Sequence, residues 1–145
     1  MKKILSLILA LVMMIMPLCV EAFADDSDVN YDDQIMPCYT YLDSIVAGIT
    51  EKALGFVCCT SSFITFESDK TCILTCYLQR TDGRAAWDNY KSQTKTFCES
   101  GSSSIDKTWY APSGYSYRVY TLLVIKNSSG ALLETATKAS GVIYK

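Results

Sequence analysis

The sequence contains no histidine. That removes the side chain most often used as a general base near neutral pH and the commonest metal ligand. It also lacks an excess of positive charge. Its 13 Lys and Arg face 15 Asp and Glu, for a net charge of −2, whereas nucleic-acid binders normally present a basic face. It lacks the length for two ordinary domains, since 145 residues suit one. No internal repeat and no recognisable catalytic motif is found. Apolar residues are not lacking: half the chain is hydrophobic, enough to build a core and to exclude wholesale disorder.

The first 24 residues read as an export signal. Lys2 and Lys3 form a positive start, an apolar run extends from Ile4 to Val20, and Pro17 breaks it near its end. Ala22-Phe23-Ala24 is a small-x-small cleavage site, with the cut expected between Ala24 and Asp25. The run of about 17 residues sits at the lower limit of a membrane span. Pro17, Glu21 and the cleavage site favour removal over anchoring, so no membrane span is expected afterwards. A lipoprotein signal needs a small residue before its cysteine, and Leu18 precedes Cys19. The protein is therefore expected to be secreted, extracellular or held at the cell surface. Loss of Lys2, Lys3 and Glu21 makes the mature chain one unit more negative.

Residues 25–37 read as an acidic flexible arm. The stretch DDSDVNYDD contains Asp25, Asp26, Asp28, Asp32 and Asp33, which repel one another in water. A calcium loop of the EF-hand type would need a glycine at its sixth position and a closing glutamate, and has neither here. Residues 38–145 are expected to form a single domain.

From Tyr39 onward, short runs rich in β-branched, aromatic and Cys residues alternate with turn signals. Ala53–Thr60 and Thr71–Arg80 read as strands, and Thr81-Asp82-Gly83-Arg84 as the turn after them. Trp87–Ser92 and Thr94–Cys98 read as weaker strands, Gly101–Ser104 as a loop, and Lys107–Tyr110 as a strand stopped by Ala111-Pro112-Ser113-Gly114. Tyr115–Lys126 is the strongest strand, Asn127-Ser128-Ser129-Gly130 a hairpin turn, and Ala131–Tyr144 the last strand or two. Tyr39–Ala53 fits both helical and strand periods, but Gly48 weakens the helix, so a strand is expected. Turn signals every 8–12 residues or so point to an antiparallel sandwich.

Two stretches carry a family resemblance. One is Leu78-Gln79-Arg80 followed after a turn by Trp87; the other is Ser113-Gly114-Tyr115-Ser116-Tyr117-Arg118-Val119. With them, most of residues 41–144 resembles a family of small secreted proteins of unknown function from Gram-positive anaerobic bacteria. The resemblance implies an all-β, antiparallel immunoglobulin/fibronectin-III-like β-sandwich of about seven or eight strands, and no catalytic residues. The chain departs from the family in its richness in cysteine. On the residues themselves, Tyr117 is expected to turn inward and bond upstream backbone as a tyrosine corner. Gly114 would allow the bend before it, and Trp87 would cover the end of the core.

Cys38, Cys58, Cys59, Cys72, Cys76 and Cys98 remain after the leader. An even number in an exported chain suggests disulfides, against the alternative of buried thiols acting as small hydrophobes. Strand alternation places Leu54, Phe56 and Cys58 on one face, and Cys72, Leu74, Cys76 and Leu78 on another. A bridge from Cys58 to Cys72 or Cys76 follows if both faces point inward, leaving Cys59 for Cys38 or Cys98. A nucleophilic cysteine would lack its base. Cys72-x₃-Cys76 has zinc-like spacing, but adjacent Cys58-Cys59 does not, so no metal and no cofactor are expected. Glu67 and Asp69 read as a solvated pair rather than a glycosidase pair. Asn127-Ser128-Ser129 matches a glycosylation sequon that carries little weight in a bacterial protein.

The aromatics are the remaining signal. Trp109, Tyr110 and Tyr115 surround the Pro112–Gly114 loop, and rings at a sandwich rim can stack on sugars or anchor a protein. In Tyr115–Lys126, Tyr117, Val119, Leu123 and Ile125 share one face, while Tyr120, Leu122 and Val124 share the other. One face must meet core, and the second belongs to a covered strand or a partner interface. The expectation is a secreted, non-enzymatic binding module for a carbohydrate or protein partner, with Trp109, Tyr110 and Tyr115 as contacts. A self-associating structural or adhesive unit is the alternative, and a small secreted enzyme is disfavoured.

Overall fold

The computed structural model describes residues 38–145. The expected leader, its cleavage pair Ala24 and Asp25, and the acidic arm lie outside the described residues. The described residues form eight strands: β1 (Leu42–Glu51), β2 (Phe56–Thr65), β3 (Thr71–Thr81), β4 (Asp88–Cys98), β5 (Ser102–Tyr110), β6 (Ser116–Lys126), β7 (Leu132–Ala139) and β8 (Ile143–Tyr144). A 3₁₀ turn, Ala53–Gly55, precedes β2. Every pairing is antiparallel. One sheet runs β1-β2-β5 and the other β4-β3-β6-β7, with β8 added to the start of β6. Three strands face four, with the chain crossing between sheets after β2, β4 and β5, which is an immunoglobulin/fibronectin-III-like sandwich.

Alternation builds the core. β6 alternates buried and half-buried along its whole length, and sends Tyr117, Val119, Thr121, Leu123 and Ile125 inward. β3 sends in Cys72, Leu74, Cys76 and Leu78, as its sequence pattern requires. β2 has the opposite phase from the one expected. Val57, Cys59, Ser61 and Phe63 are buried, while Phe56 is exposed and Cys58 half-exposed. Its sequence is apolar on both parities, so alternation alone could not choose. The 3₁₀ turn removes Leu54 from the strand, and the facing sheet then decides. Ser61 lies across the core from Thr121, with hydroxyl oxygens 2.7 Å apart, and each satisfies the other where water is excluded.

Other differences are local. β4 is one strand where two weak ones were expected, and Ser102–Ser104 belong to β5, because they pair with Ser62, Phe63 and Ile64 of β2. Trp87 is not packed on the core. Its ring lies beneath the Arg118 guanidinium, 4.2 Å from the centroid, on the outer side of the four-stranded sheet.

The turn chemistry holds. Gly83, Gly114 and Gly130 all have positive φ, the region open to glycine at no steric cost. Asn127 Oδ1 accepts the Ser129 and Ala131 amides and so closes the β6–β7 turn. Past Gly114, the buried Tyr117 donates its hydroxyl to the Pro112 carbonyl at 2.8 Å, forming the tyrosine corner.

Leu54 and Glu99 are the two non-glycine residues with positive φ among those described, at 60° and 52°, and Leu54 is 88 % exposed. A left-handed L-residue costs roughly 1–2 kcal/mol. Leu54→Gly is therefore expected to raise stability by about 1 kcal/mol in chemical denaturation. An unchanged or lower midpoint would show that the turn carries no such strain.

Candidate functional site

The three aromatic residues singled out near the Pro112–Gly114 loop occupy three different surroundings. Trp109 is half-buried and packs against the core. Tyr110, one residue on, points to the outer side of the three-stranded sheet and is 54 % exposed. Its ring meets Phe56 edge-on, with centroids 5.7 Å apart, because β5 and β2 pair those residues directly. Tyr115 is half-buried and covers Arg80, whose guanidinium carbon lies 4.8 Å from the Tyr115 centroid and 4.4 Å from that of Tyr90. The two rings hold that cation in a slot at the end of the core.

Beside Tyr115 and Arg80 lies an open hollow of about 170 Å³, bordered by Thr81, Asp82, Ala85 and Asp88. It is smaller than the usual ligand cleft of roughly 300–1,000 Å³. Its acidic groups are already engaged. Asp82 Oδ1 caps the Arg84 amide at 2.9 Å, and Asp88 faces Arg80 Nε at 3.8 Å. Glu67 and Asp69 both contact Lys70, at 2.8 and 2.6 Å. The Lys70 hydrogen bond holds the Asp69 carboxyl below its usual range, and Lys70 is pushed up in turn. This is an exposed ion-pair cluster of the kind that contributes little.

The six described cysteines are free thiols, and no two of them stand at disulfide distance. The expected bridge from Cys58 to Cys72 or Cys76 fails on direction, since Cys58 points outward while the other two are buried in the core. Cys59 is buried as well, whereas Cys38 and Cys98 are exposed. Burial, and after it the neighbouring Cys76 and Cys58, pushes Cys59 up to about 12. Burial raises Cys72 and Cys76 too. Among the described residues, no group of three or more Cys, Asp or Glu side chains is placed to hold a metal ion.

Among the described residues, the outer face of the four-stranded sheet forms a continuous feature. Strand register lines up successive rows across β4, β3, β6 and β7. The first is Thr96, Ile73, Val124 and Thr135; the second Thr94, Thr75, Leu122 and Thr137; the third Ser92, Tyr77, Tyr120 and Ala139. None of these residues is charged. Ile73, Leu122, Val124, Tyr77 and Tyr120 are half-buried, and the Tyr77 and Tyr120 rings lie 6.4 Å apart. The rows end in a polar chain. Arg118 donates to Gln79 at 2.9 Å, Gln79 donates to Asn89 at 2.8 Å, and Arg118 covers Trp87.

The sequence exposes half of this face, because Tyr120, Leu122 and Val124 alternate with the core residues of β6. Ile73 and Tyr77 were legible in the same way on β3. That these strands are neighbours, and that β4 and β7 flank them with uncharged Thr, Ser and Ala, needed the pairing. No protein-family model matches the chain and no curated protein matches it, so the argument for function rests on these surfaces.

Proposed function

We propose that this is an exported, non-enzymatic β-sandwich binding module that docks a protein partner on the outer face of its four-stranded sheet. The uncharged rows centred on Leu122 carry this reading. Solvated sheet faces normally alternate apolar-in with polar or charged-out, and an uncharged outer face with Ile73, Tyr77, Tyr120, Leu122 and Val124 side by side supports an interaction surface. Tyr, Trp and Arg, the residues enriched at interface hot spots, are all present in Tyr77, Tyr120, Trp87 and Arg118. From Ile73 to Gln79 along the strands, and across four strands, the face spans roughly 400 Å². That is about half of what a standard stable interface buries per partner, which suits a transient contact. A flat protein surface fits it better than a sugar, because Arg118 already covers one face of the Trp87 ring and the Gln79 amide is bonded on both sides. Export rests on the leader pattern. Among the described residues no helix is long and apolar enough to cross a membrane.

Self-association is the second reading, favoured by the same lack of charge, since two copies of this face would meet without like-charge conflict. One experiment separates the two. A photoreactive residue replacing Leu122 is expected to cross-link in the producing cells, while the same residue at Thr108, on the outer face of the other sheet, does not. A product of twice the monomer mass identifies a second copy, and any other mass a distinct partner. Equal labelling from both positions, or none from Leu122, removes the face as a docking site. Leu122→Lys should abolish the cross-link formed from position 120 while changing stability by less than about 1 kcal/mol, as befits a surface position.

A further inference from the structure

The two sheets end in four long edge strands, each paired along one side only: β1 and β5 in one sheet, β4 and β7 in the other. Unpaired amides and carbonyls at such an edge accept a further strand, and lysines turned inward at the edge prevent it. Register shows those lysines on three of the four edges. Lys91 and Lys95 of β4 stand opposite the buried Leu78 and Leu74, Lys107 of β5 opposite the buried Cys59, and Lys138 of β7 opposite the buried Thr121. Each lies on the parity that turns toward the core, yet each is exposed. A lysine so placed carries its ammonium back to water across the edge. A strand added there would enclose the charge.

β1 has no such lysine. From Ser44 to Thr50 it contains no charged residue and no proline. Ile45, Ala47 and Ile49 stand opposite the buried Phe63, Ser61 and Cys59 and so face the core, while the exposed Val46 lies on the outer parity. The register shifts between Leu42 and Ser44 and is regular from there on. Among the described residues, the one hydrogen bond to the β1 backbone from outside β2 is long, from Thr121 Oγ1 to Val46 O at 3.4 Å. The clasp of Glu134 on the Thr40 and Tyr41 amides lies ahead of the strand.

The geometry points to β1 as the edge where a second copy of this chain adds, antiparallel to the first and centred on Ala47, turning two three-stranded sheets into one of six. About that two-fold axis Ile45 meets Ile49 and Ala47 meets Ala47 on the core side, while Val46 meets Gly48 and Ser44 meets Thr50 on the outer side. The exposed valine is set against the residue without a side chain, and the half-buried isoleucines carry the core across the junction. Charge agrees. Asp43, which has no ion pair among the described residues, comes up beside Glu51 of the second copy, already paired with Lys145, and beside Lys52, which has no ion pair either. Moving the centre by one residue sets Asp43 against Ile49 or Glu51 against Ile45. These matches belong to this sequence, so the occupant is a second copy rather than an unrelated strand. The edge is independent of the face centred on Leu122, which lies on the other sheet. Residues 44–50 span roughly 23 Å, and an interface of that length sits at the small end of specific contacts, so the dimer forms reversibly with concentration.

Sedimentation equilibrium tests this on residues 25–145, which hold the compact unit and its whole core and omit the apolar run of residues 4–20. Between about 1 μM and 1 mM, wild type is expected to pass from monomer to dimer mass. Val46→Lys sets two like charges diagonally across the axis and should raise the dissociation constant about tenfold or more. Circular dichroism checks its fold. Leu122→Lys should dimerise like wild type. Amide hydrogen exchange of wild type, read at both ends of the concentration range, should show added protection within residues 44–50 and none in β4, β5 or β7, whatever the variants do. Wild type that stays monomeric overturns the proposal, and leaves the edge to an extended segment of another protein. So does a dimer lost in Leu122→Lys, or kept undiminished in a folded Val46→Lys, or added protection that falls outside β1.

Discussion

Tyr117→Ala is expected to destabilise the domain by about 3–5 kcal/mol, and Tyr117→Phe by about 1–2 kcal/mol. Tyr117 is the largest fully buried side chain in the fold. Its ring meets Tyr90 and Tyr115 at centroid distances of 6.4 and 6.3 Å. The Arg80 guanidinium lies between the rings of those same two residues. Truncation to alanine opens a cavity among rings that a strand pairing on both sides prevents from collapsing, and it uncovers the aliphatic part of Arg80. A domain of this size has a total stability of roughly 5–15 kcal/mol, so the alanine variant should lose a large share of it. Phenylalanine keeps the ring and loses only the hydroxyl that donates to Pro112 O. Urea unfolding of both variants separates packing from hydrogen bonding. Equal losses would mean that the corner bond, rather than the ring, organises this end of the sandwich.

The core thiols should be nearly inert in the folded protein. At about pH 8, a thiol with a pKa near 12 is ionised about a thousandfold less than an ordinary cysteine, and the thiolate is the reactive form. Cys59, Cys72 and Cys76 are also sealed from solvent. A thiol reagent is expected to label Cys38 and Cys98 quickly and Cys58 next, and to reach the three core thiols only on unfolding. Peptide mapping after a short exposure reads this directly, and fast labelling of Cys59 in native protein would refute the burial argument.

The same burial predicts alkaline instability. Cys59 rises from 9.0 to about 12 on folding, so the native state holds a proton that the unfolded chain releases. Its contribution is intact below pH 9 and is lost as pH rises from there toward 12. The slope is about 1.4 kcal/mol per pH unit for this thiol alone. Cys72 and Cys76 shift in the same direction. Under reducing conditions, wild type should lose about 2 kcal/mol from Cys59 by about pH 10.5, and Cys59→Ala should lack that part of the slope. Identical slopes in the two proteins would show that the Cys59 proton is not retained.

Particular residues show what could be read before folding. The pattern Cys72, Leu74, Cys76, Leu78 identified the inner face of β3, and Tyr117, Val119, Leu123, Ile125 that of β6, because apolar residues fall on one parity there. Asp82-Gly83, Gly114 and Asn127 through Gly130 marked their turns, since glycine and Asx side chains supply backbone conformations that other residues resist. Tyr117 and Gly114 together gave the tyrosine corner. Leu54 to Cys59 defeated the same reasoning. The phase of β2 is set by a turn whose only local mark is Gly55, at positive φ, and by the need to place Ser61 against Thr121 across the core.

Composition and periodicity thus determined that this chain builds antiparallel strands, where most of them bend, and which faces of β3 and β6 are buried, because those are local properties of a pleated chain. Which apolar residues stay outside was decided only by the tertiary structure. Strand pairing collects Ile73, Tyr77, Tyr120, Leu122 and Val124 into one uncharged face. It separates Trp109, Tyr110 and Tyr115, which are close in sequence, and gathers Leu54, Phe56 and Tyr110 at one end. Surfaces are made of residues distant along the chain, and pairing and register across two sheets are non-local choices that alternation within one strand cannot encode.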